Sequence, residues 1–397
     1  MKGFLRNRRN SPSNVSYFNT GKKLQNKIQL KLCTRAARLK GKFPIPKLLH
    51  SVLHWTSLIE SSKNTIWNRT TSVIFGILLH FACFNVWYIA ETHFQAKLIK
   101  VGLSYLISYS LTVVIWYTTI YKRKHLKNLL ENIKDIKSFP GEKIINLFVS
   151  LLCTIPIALS TVEASSLNNS KEGKMYTYGN NTGNDLMNVL FYMQIILYYV
   201  IYPTYTNIMA LLYGTLCLRC FVHINVLSTE VVHCSPKTFG LPKQLDILKR
   251  KAKIKEILII IQDLFSLPIL LIIISNAAMC GSATGYLLTE SWNETFMAMK
   301  IEVAYYGINA FVCVVSILWV AGALPIEMNK FKETFHSKTH SRLLYYHTKD
   351  ELYLKREVVN EPDFVLTGCE IISYKRSTVL AFVGTLLTYT VLVISID

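Results

Sequence analysis

The sequence predicts an all-α, polytopic membrane protein with seven transmembrane helices, and three observations support this fold class. Hydrophobic residues make up 51% of the 397-residue chain, and the mean hydropathy is +0.29, which disfavours a soluble multidomain protein. The apolar residues gather into runs of about 20, the length that crosses roughly 30 Å of hydrocarbon as a helix. Positive charges lie on one side of these runs, and this asymmetry predicts an orientation.

The first 70 residues are predicted to form a basic cytoplasmic arm. They hold fifteen lysines and arginines and begin with a turn-rich stretch, "RNRRNSPSN". No apolar core follows the opening charges, so we expect the first span, rather than a cleaved signal peptide, to direct insertion. The arm is suited to contact anionic lipid headgroups. Its last part, residues 48–58 ("LLHSVLHWTSL"), is too short to span and is predicted to be an interfacial helix.

Residues 71–397 are predicted to form the seven-helix transmembrane domain. The seven apolar runs lie at about 72–90, 98–121, 144–162, 186–212, 257–288, 296–324 and 377–396. The fourth and fifth runs exceed 25 residues, and their inner ends lead into the basic segment "LDILKRKAKIKEI". Long helices that leave the bilayer and meet in the cytoplasm account for this pattern. A pair of simply tilted spans is the alternative.

Charges and glycosylation sequons predict the same orientation. Thirty-nine of the 44 lysines and arginines fall in the arm and in the loops on the same side of the membrane, which places the amino terminus inside and the carboxyl terminus outside. Sequons can be glycosylated only on the outer side. Asn168, Asn180 and Asn293 lie in the two outer loops and are the glycosylation candidates.

The last run has two different faces when it is drawn as a helix at 100° per residue. The small and hydroxylated face comprises Ser377, Thr378, Ala381, Thr385, Thr388, Leu392, Ser395 and Ile396. Such a face either packs closely against other helices in lipid or lines a water-filled pore, with Leu392 as an apolar constriction near the outer end. Several copies around one axis would place Asp397 in an anionic ring at the outer mouth, which favours cations.

The end of the chain resembles the arthropod gustatory receptors, members of the seven-transmembrane insect chemoreceptor superfamily. In that family the last span ends in Thr-Tyr, five mostly hydrophobic residues and Gln-Phe. Here Thr388 and Tyr389 are followed by "TVLVI" and then by Ser395-Ile396, so the spacing is kept while the Gln-Phe pair is replaced. The run "DFVLTGCEIISYKRSTVLAFVGTLLTY" is also similar to the family's approach to this helix. The chain therefore resembles a divergent member of this family.

The resemblance implies a chemosensory receptor of the plasma membrane of sensory cells, acting as a ligand-gated, non-selective cation channel. It implies a homo- or hetero-tetramer with other receptor subunits, in which the last span lines the pore. A small external tastant would bind among the outer halves of the other helices. The cytoplasmic ends of the fourth to sixth spans would join a segment before the seventh as an anchor bundle.

Polar and aromatic side chains in the outer halves of the spans are the ligand-binding candidates, although single aromatics there are often membrane anchors. They are Tyr105, Tyr192, Tyr198, Asn276, Glu302, Tyr305 and Tyr306. An acid within the outer leaflet, as Glu302 is placed, is costly unless it faces a cavity or a partner. Tyr305 and Tyr306 follow it by three and four residues and share its helix face. Alternatively, the sixth span begins later and Glu302 touches water.

Two other functional classes fit a polytopic protein: a metabotropic receptor, G-protein-coupled or otherwise, and a small-molecule transporter. G-protein-coupled receptors have an outer amino terminus and usually an Asn-Pro-x-x-Tyr motif, and this sequence has no Asn-Pro. Transporters usually show internal repeats or paired broken helices, which the sequence does not display. We found no hydrolase, phosphate-loop or metalloprotease motif and no metal-ligand set, so neither an enzyme nor a cofactor is expected. The basic segments follow the inner membrane face, so no nucleic-acid partner is expected.

Overall fold

The computed structural model describes residues 45–59, 65–93, 99–134, 141–167, 185–289, 297–346 and 349–396. The predicted basic arm up to residue 44, Asp397, and the glycosylation candidates Asn168, Asn180 and Asn293 lie outside these residues. The elements are α1 (Lys47–Trp55), α2 (Thr65–His93), α3 (Ile99–Tyr121), α4 (Arg123–Lys134), α5 (Glu142–Leu167), α6 (Asp185–Tyr199), a π-helical turn (Val200–Tyr205), α7 (Thr206–His233), α8 (Leu241–Thr289), α9 (Met297–Leu343), α10 (Lys349–Asn360), β1 (Thr367–Gly368), β2 (Ile372–Ser373) and α11 (Arg376–Ile396).

The helical membrane fold predicted from the sequence is confirmed. Among the described residues, six helical segments are long and apolar enough to cross a membrane, and Arg376–Leu392 is a shorter apolar helix. The π-helical turn joins α6 and α7 into one segment, so these seven segments correspond in order to the seven apolar runs. The only strands described are β1 and β2, an antiparallel pair of two residues each directly before α11.

Helices α8 and α9 form the centre of the bundle and extend well beyond a bilayer. They contain 49 and 47 residues, and at 1.5 Å per residue each is about 70 Å long, more than twice the hydrocarbon thickness. They pack against each other and against α7, while α3 packs on α8 and α2 packs on α3. Helix α11 contacts α8 and α9 at the edge of the bundle. The predicted continuation of the fifth run into its basic segment is therefore helical throughout.

The fourth apolar segment is bent at Pro203. Tyr202 has φ −136° and ψ 125°, which breaks the helix. Three nearby hydroxyls donate hydrogen bonds to backbone oxygens around the bend. Thr204 Oγ1 donates to Tyr199 O at 2.8 Å, Thr206 Oγ1 to Pro203 O at 2.8 Å and Tyr306 Oη to Tyr202 O at 3.4 Å. Backbone groups freed by a proline are tolerated in membranes when they find such partners.

Ion pairs hold together the charged end of the bundle, where α8, α9 and the segment after α10 meet. Lys251 and Lys255 of α8 both bind Glu361, and Lys332 of α9 binds Asp363 at 2.7 Å. Burial alone would raise the pKa of Glu361, but hydrogen bonds and charge from the two lysines lower it below the ordinary value of a glutamate. These contacts attach the hairpin and the start of α11 to the long helices.

Candidate functional site

Seven tyrosines from three neighbouring elements form one aromatic cluster inside the bundle. They come from α3, from the end of α6 with its π-helical turn, and from α9. The tyrosine cluster consists of Tyr105, Tyr109, Tyr198, Tyr199, Tyr202, Tyr305 and Tyr306. Tyr306 lies at its centre, with its ring centroid 5.4 Å from Tyr105, 5.4 Å from Tyr199 and 5.9 Å from Tyr202. Aromatic contacts at these separations are stabilising beyond the area they bury.

Two carboxyl groups lie at the edge of the tyrosine cluster. Tyr105 Oη donates a hydrogen bond to Glu302 Oε1 at 2.9 Å, and Tyr199 Oη donates one to Glu163 Oε2 at 2.7 Å. Both tyrosines touch the ring of Tyr306, so α5 and α9 each bring an acid to the same group of rings. Glu163 is 5% exposed. A carboxyl group in such a place is costly unless it is bonded or meets a cation.

A layer of hydrogen bonds continues the site towards α8. Tyr202 Oη donates to Asn276 Oδ1 at 3.3 Å, and Asn276 Nδ2 donates to Ile272 O at 2.9 Å. Tyr109 Oη donates to Tyr198 O at 3.1 Å, and Gln194 Nε2 donates to Tyr198 Oη at 2.8 Å. Asn276 is fully buried. These bonds connect the π-helical turn to α8 and α3 to α6.

Six of the seven residues predicted to bind ligand lie in or beside this cluster. Tyr105, Tyr198, Tyr305 and Tyr306 are members, Glu302 is bonded to one of them, and Asn276 to another. Tyr192 lies apart and bonds Ser165 of α5 at 3.1 Å. The structure thus brings the predicted residues together, and their role in binding stays a prediction.

Sequence reasoning missed Tyr109, Tyr199, Tyr202 and Glu163. Tyr109 follows Tyr105 by four residues and shares its helix face, so this signal was available. Glu163 comes one residue after the predicted end of the third span, and the helix in fact continues to Leu167. Tyr202 reaches the cluster because of the bend at Pro203, which a regular helix pattern cannot indicate.

The described part of α11 packs through one face and leaves the other uncovered. Val379, Phe382 and Leu386 pack against the core, and Phe382 stacks on Phe311 of α9 with centroids 6.3 Å apart. The predicted pore residues Ala381, Thr385, Thr388 and Leu392 are exposed, while Thr378 is half-buried and bonds Ser373 O at 2.8 Å. The side chains of Ser395 and Ile396 lie outside the described part.

Tyr389, the tyrosine of the Thr-Tyr pair, lies against two glycines of α8. A Cβ atom added to Gly285 would be 3.1 Å from Tyr389 Oη, and one added to Gly281 would be 3.8 Å from its Cε1. We call this contact the glycine notch. On the same helix, Ala283 approaches α9 so closely that a Cβ on Gly307 would be 2.9 Å from the Ala283 Cβ. Gly307 directly follows Tyr306, so one short stretch of α8 touches both the cluster's helix and α11.

The start of α11 is fixed equally closely. A Cβ on Gly322 of α9 would lie 2.6 Å from Arg376 N, so only glycine fits there. The Arg376 guanidinium carbon lies 4.6 Å from the ring centroid of Trp319, a favourable cation–π contact. Glycines of α8 and α9 therefore position two points of α11, its first residue and Tyr389.

An open groove of about 960 Å³ lies elsewhere, between α2 and α3. Its lining is mostly apolar and includes His80 and Tyr117, whose Nε2 and Oη are 3.1 Å apart. It shares no residue with the tyrosine cluster. Because its walls are the exposed faces of two helices, the surrounding lipid can fill it, so we do not assign the ligand site there.

Comparisons with known proteins identify the fold. The structure is similar to that of the insect olfactory receptor OR5 from Machilis hrabei, with a TM-score of 0.67 and 12% sequence identity, over 87% of this chain and 96% of that one. The same receptor in complex with eugenol gives a TM-score of 0.63 and 13% identity, over 93% and 99% of the two chains. No protein-family model and no curated protein sequence matches the chain. At these identities the similarity establishes the fold alone. It is the fold that the sequence resemblance predicted.

Proposed function

We propose that this protein is a chemosensory receptor, gustatory in type, that acts as a ligand-gated, non-selective cation channel. A small external tastant binds in the tyrosine cluster and stabilises the open arrangement of the α11 helices by a population shift. The amino terminus is cytoplasmic and the carboxyl terminus extracellular, in the plasma membrane of a sensory cell. Four subunits, identical or mixed with other receptor subunits, surround one pore.

The exposed hydroxyl face of α11 is the observation that carries this proposal. An apolar helix at the edge of a membrane bundle needs no row of hydroxyls towards lipid. Thr385 and Thr388 nevertheless lie on the uncovered side, together with Ala381 and Leu392, where copies around an axis would enclose water. Their hydroxyls bond their own backbone at 2.9 Å, to Ala381 O and Gly384 O, and keep oxygen lone pairs available to passing ions.

The contacts of α8 support coupling between binding and gating. The Gly307–Ala283 approach joins the cluster's helix to α8, and the glycine notch joins α8 to α11. A ligand that moves the rings of Tyr305 and Tyr306 therefore acts on a close-packed series of backbones. Close-packed interfaces respond by switching between discrete arrangements and cannot deform continuously.

Expression in oocytes tests the proposal directly. Cells carrying the full chain would be challenged with sugars, bitter compounds, and small polar metabolites including alcohols and amines, while current is recorded under voltage clamp. We expect ligand-dependent cation current that persists when G-protein signalling is blocked by a non-hydrolysable GDP analogue. Loss of the current under that block would support the metabotropic alternative.

A further inference from the structure

We infer that the tyrosine cluster recognises a small organic cation, a protonated amine whose ammonium group lies between the carboxyl groups of Glu163 and Glu302. The inference rests on the proposed function, because it names the ligand class of the same site. Three features carry it: the missing countercharge, the direction of the hydrogen bonds and the arrangement of the rings.

The two carboxyl groups have no cationic partner in the described part of the chain. Their hydrogen-bond partners there are the hydroxyls of Tyr105 and Tyr199, each of which reaches one oxygen and leaves the other oxygen unbonded. The two tyrosines that bind these acids contact the same ring, that of Tyr306, so the two acids adjoin one group of rings. Two neighbouring carboxylates in a low-dielectric site are costly unless they are protonated or meet a countercharge, and a ligand ammonium would supply that countercharge to both.

Most hydroxyl protons of the cluster are already used in hydrogen bonds within the protein, so the cluster offers few donors to a ligand. Five hydroxyls already donate: Tyr105 to Glu302, Tyr199 to Glu163, Tyr109 to Tyr198 O, Tyr202 to Asn276, and Tyr306 to Tyr202 O. Five of the seven hydroxyl protons are thus used within the protein, and the second carboxylate oxygens are left as acceptors. An ammonium group has three donors and no acceptor, whereas a sugar or an alcohol also presents acceptors that would stay unpaired.

The aromatic rings are arranged to contact the cation and its carbon chain. The rings of Tyr199 and Tyr306 stack with centroids 5.4 Å apart, and that of Tyr305 lies 5.9 Å from Tyr199 and 5.8 Å from Tyr306. A cation near such ring faces is attracted by their electron density, and the attraction grows when water is excluded. Aromatic rings beside carboxylates thus match an ammonium with an apolar substituent.

Matched pairs of amines and neutral isosteres test the inference in oocytes. The probes are 2-phenylethylamine against 2-phenylethanol and butylamine against butanol, at pH 7.4, where both amines are protonated. We expect the amines to open the channel at concentrations at least about 10-fold lower than the alcohols. Glu163→Gln and Glu302→Gln should each raise the half-maximal amine concentration at least about 10-fold and leave any alcohol response unchanged. Glu357→Gln, the same substitution at an exposed acid of α10, is the matched control and should stay within about twofold.

The outcomes separate this inference from the proposed function. Currents evoked by the alcohols or sugars but not by amines would overturn the amine inference and leave the channel proposal standing. Protein present at the cell surface by biotinylation that gives no current with any compound would count against the channel itself. If a glutamine variant fails to reach the surface, the comparison of amine with alcohol on the unaltered protein still decides, and Glu302→Asp tests the carboxyl requirement.

Discussion

Replacing Gly285 by alanine perturbs the glycine notch with almost no other change. The added methyl carbon would lie 3.1 Å from Tyr389 Oη, so the tyrosine must move by a few tenths of an ångström. Overpacking of this kind costs about 1–3 kcal/mol. The gain in helix propensity from glycine to alanine, about 1 kcal/mol, applies equally to every state in which α8 is helical. It therefore cancels between the open and closed channel.

The remaining cost falls only on the arrangement in which Tyr389 occupies the notch. About 1–3 kcal/mol corresponds to a change of about 5- to 150-fold in the equilibrium between channel states. We expect Gly285→Ala to shift the half-maximal ligand concentration by at least about fivefold and to change the basal current in the linked direction. A lower half-maximal concentration should accompany a larger basal current, and a higher one a smaller basal current.

Two further variants isolate the contact. Gly281→Ala adds the same methyl group one turn away at an ordinary contact distance of 3.8 Å from Tyr389, so its response should stay within about twofold of the unaltered channel. Tyr389→Phe removes the crowded oxygen and should partly restore the Gly285→Ala channel. Dose–response curves under voltage clamp measure all four proteins. Equal effects of the two alanines, or no rescue by phenylalanine, would refute the proposed coupling through the notch.

Three other predictions address the pore, the charged end and the orientation. Thr388→Cys should let an external charged thiol reagent block at least half of the current, whereas Leu386→Cys, on the packed face, should not react. Glu361→Gln should lower the stability of the purified protein at pH 7.5 by about 1–3 kcal/mol, because it leaves Lys251 without its carboxylate. The lowered pKa of Glu361 means that its contribution is present above the ordinary glutamate pKa and is lost as the pH falls through the lowered value. Thermal unfolding should therefore show a stability difference between the two proteins that is constant above the ordinary glutamate pKa and shrinks as the pH falls below it. Asn180→Gln should increase gel mobility in the same way as glycosidase treatment if the predicted outer loop is glycosylated, and an unchanged band would contradict its use.

The membrane fold could be predicted from the sequence because span length and apolar composition are local properties. The runs at 98–121 and 377–396 differ by at most a residue or two from α3 and α11. The inner end of α9 extends to Leu343, well beyond its apolar run, since charged residues there are held by ion pairs such as Lys332–Asp363. A hydropathy pattern ends where charge begins and cannot detect a helix stabilised by such pairs.

The site could be predicted only in part, because it depends on which helices become neighbours. Glu302, Tyr305 and Tyr306 could be grouped from their spacing on one helix. Their meeting with Glu163 of α5 could not, since nothing in a single sequence specifies that α5 and α9 converge there. The glycine notch could not be predicted either, because the role of Gly285 depends on Tyr389 of another helix lying against it.

Recording from the purified protein tests the central claim, direct gating by ligand, most directly. The full chain would be reconstituted in planar bilayers without any other protein, and a compound active in oocytes would be added to the side of the carboxyl terminus. We predict unitary currents, carried by sodium and potassium alike, that appear with the ligand and disappear on washout. A silent bilayer, with a response to the same compound in cells that depends on G-protein signalling, would contradict the account.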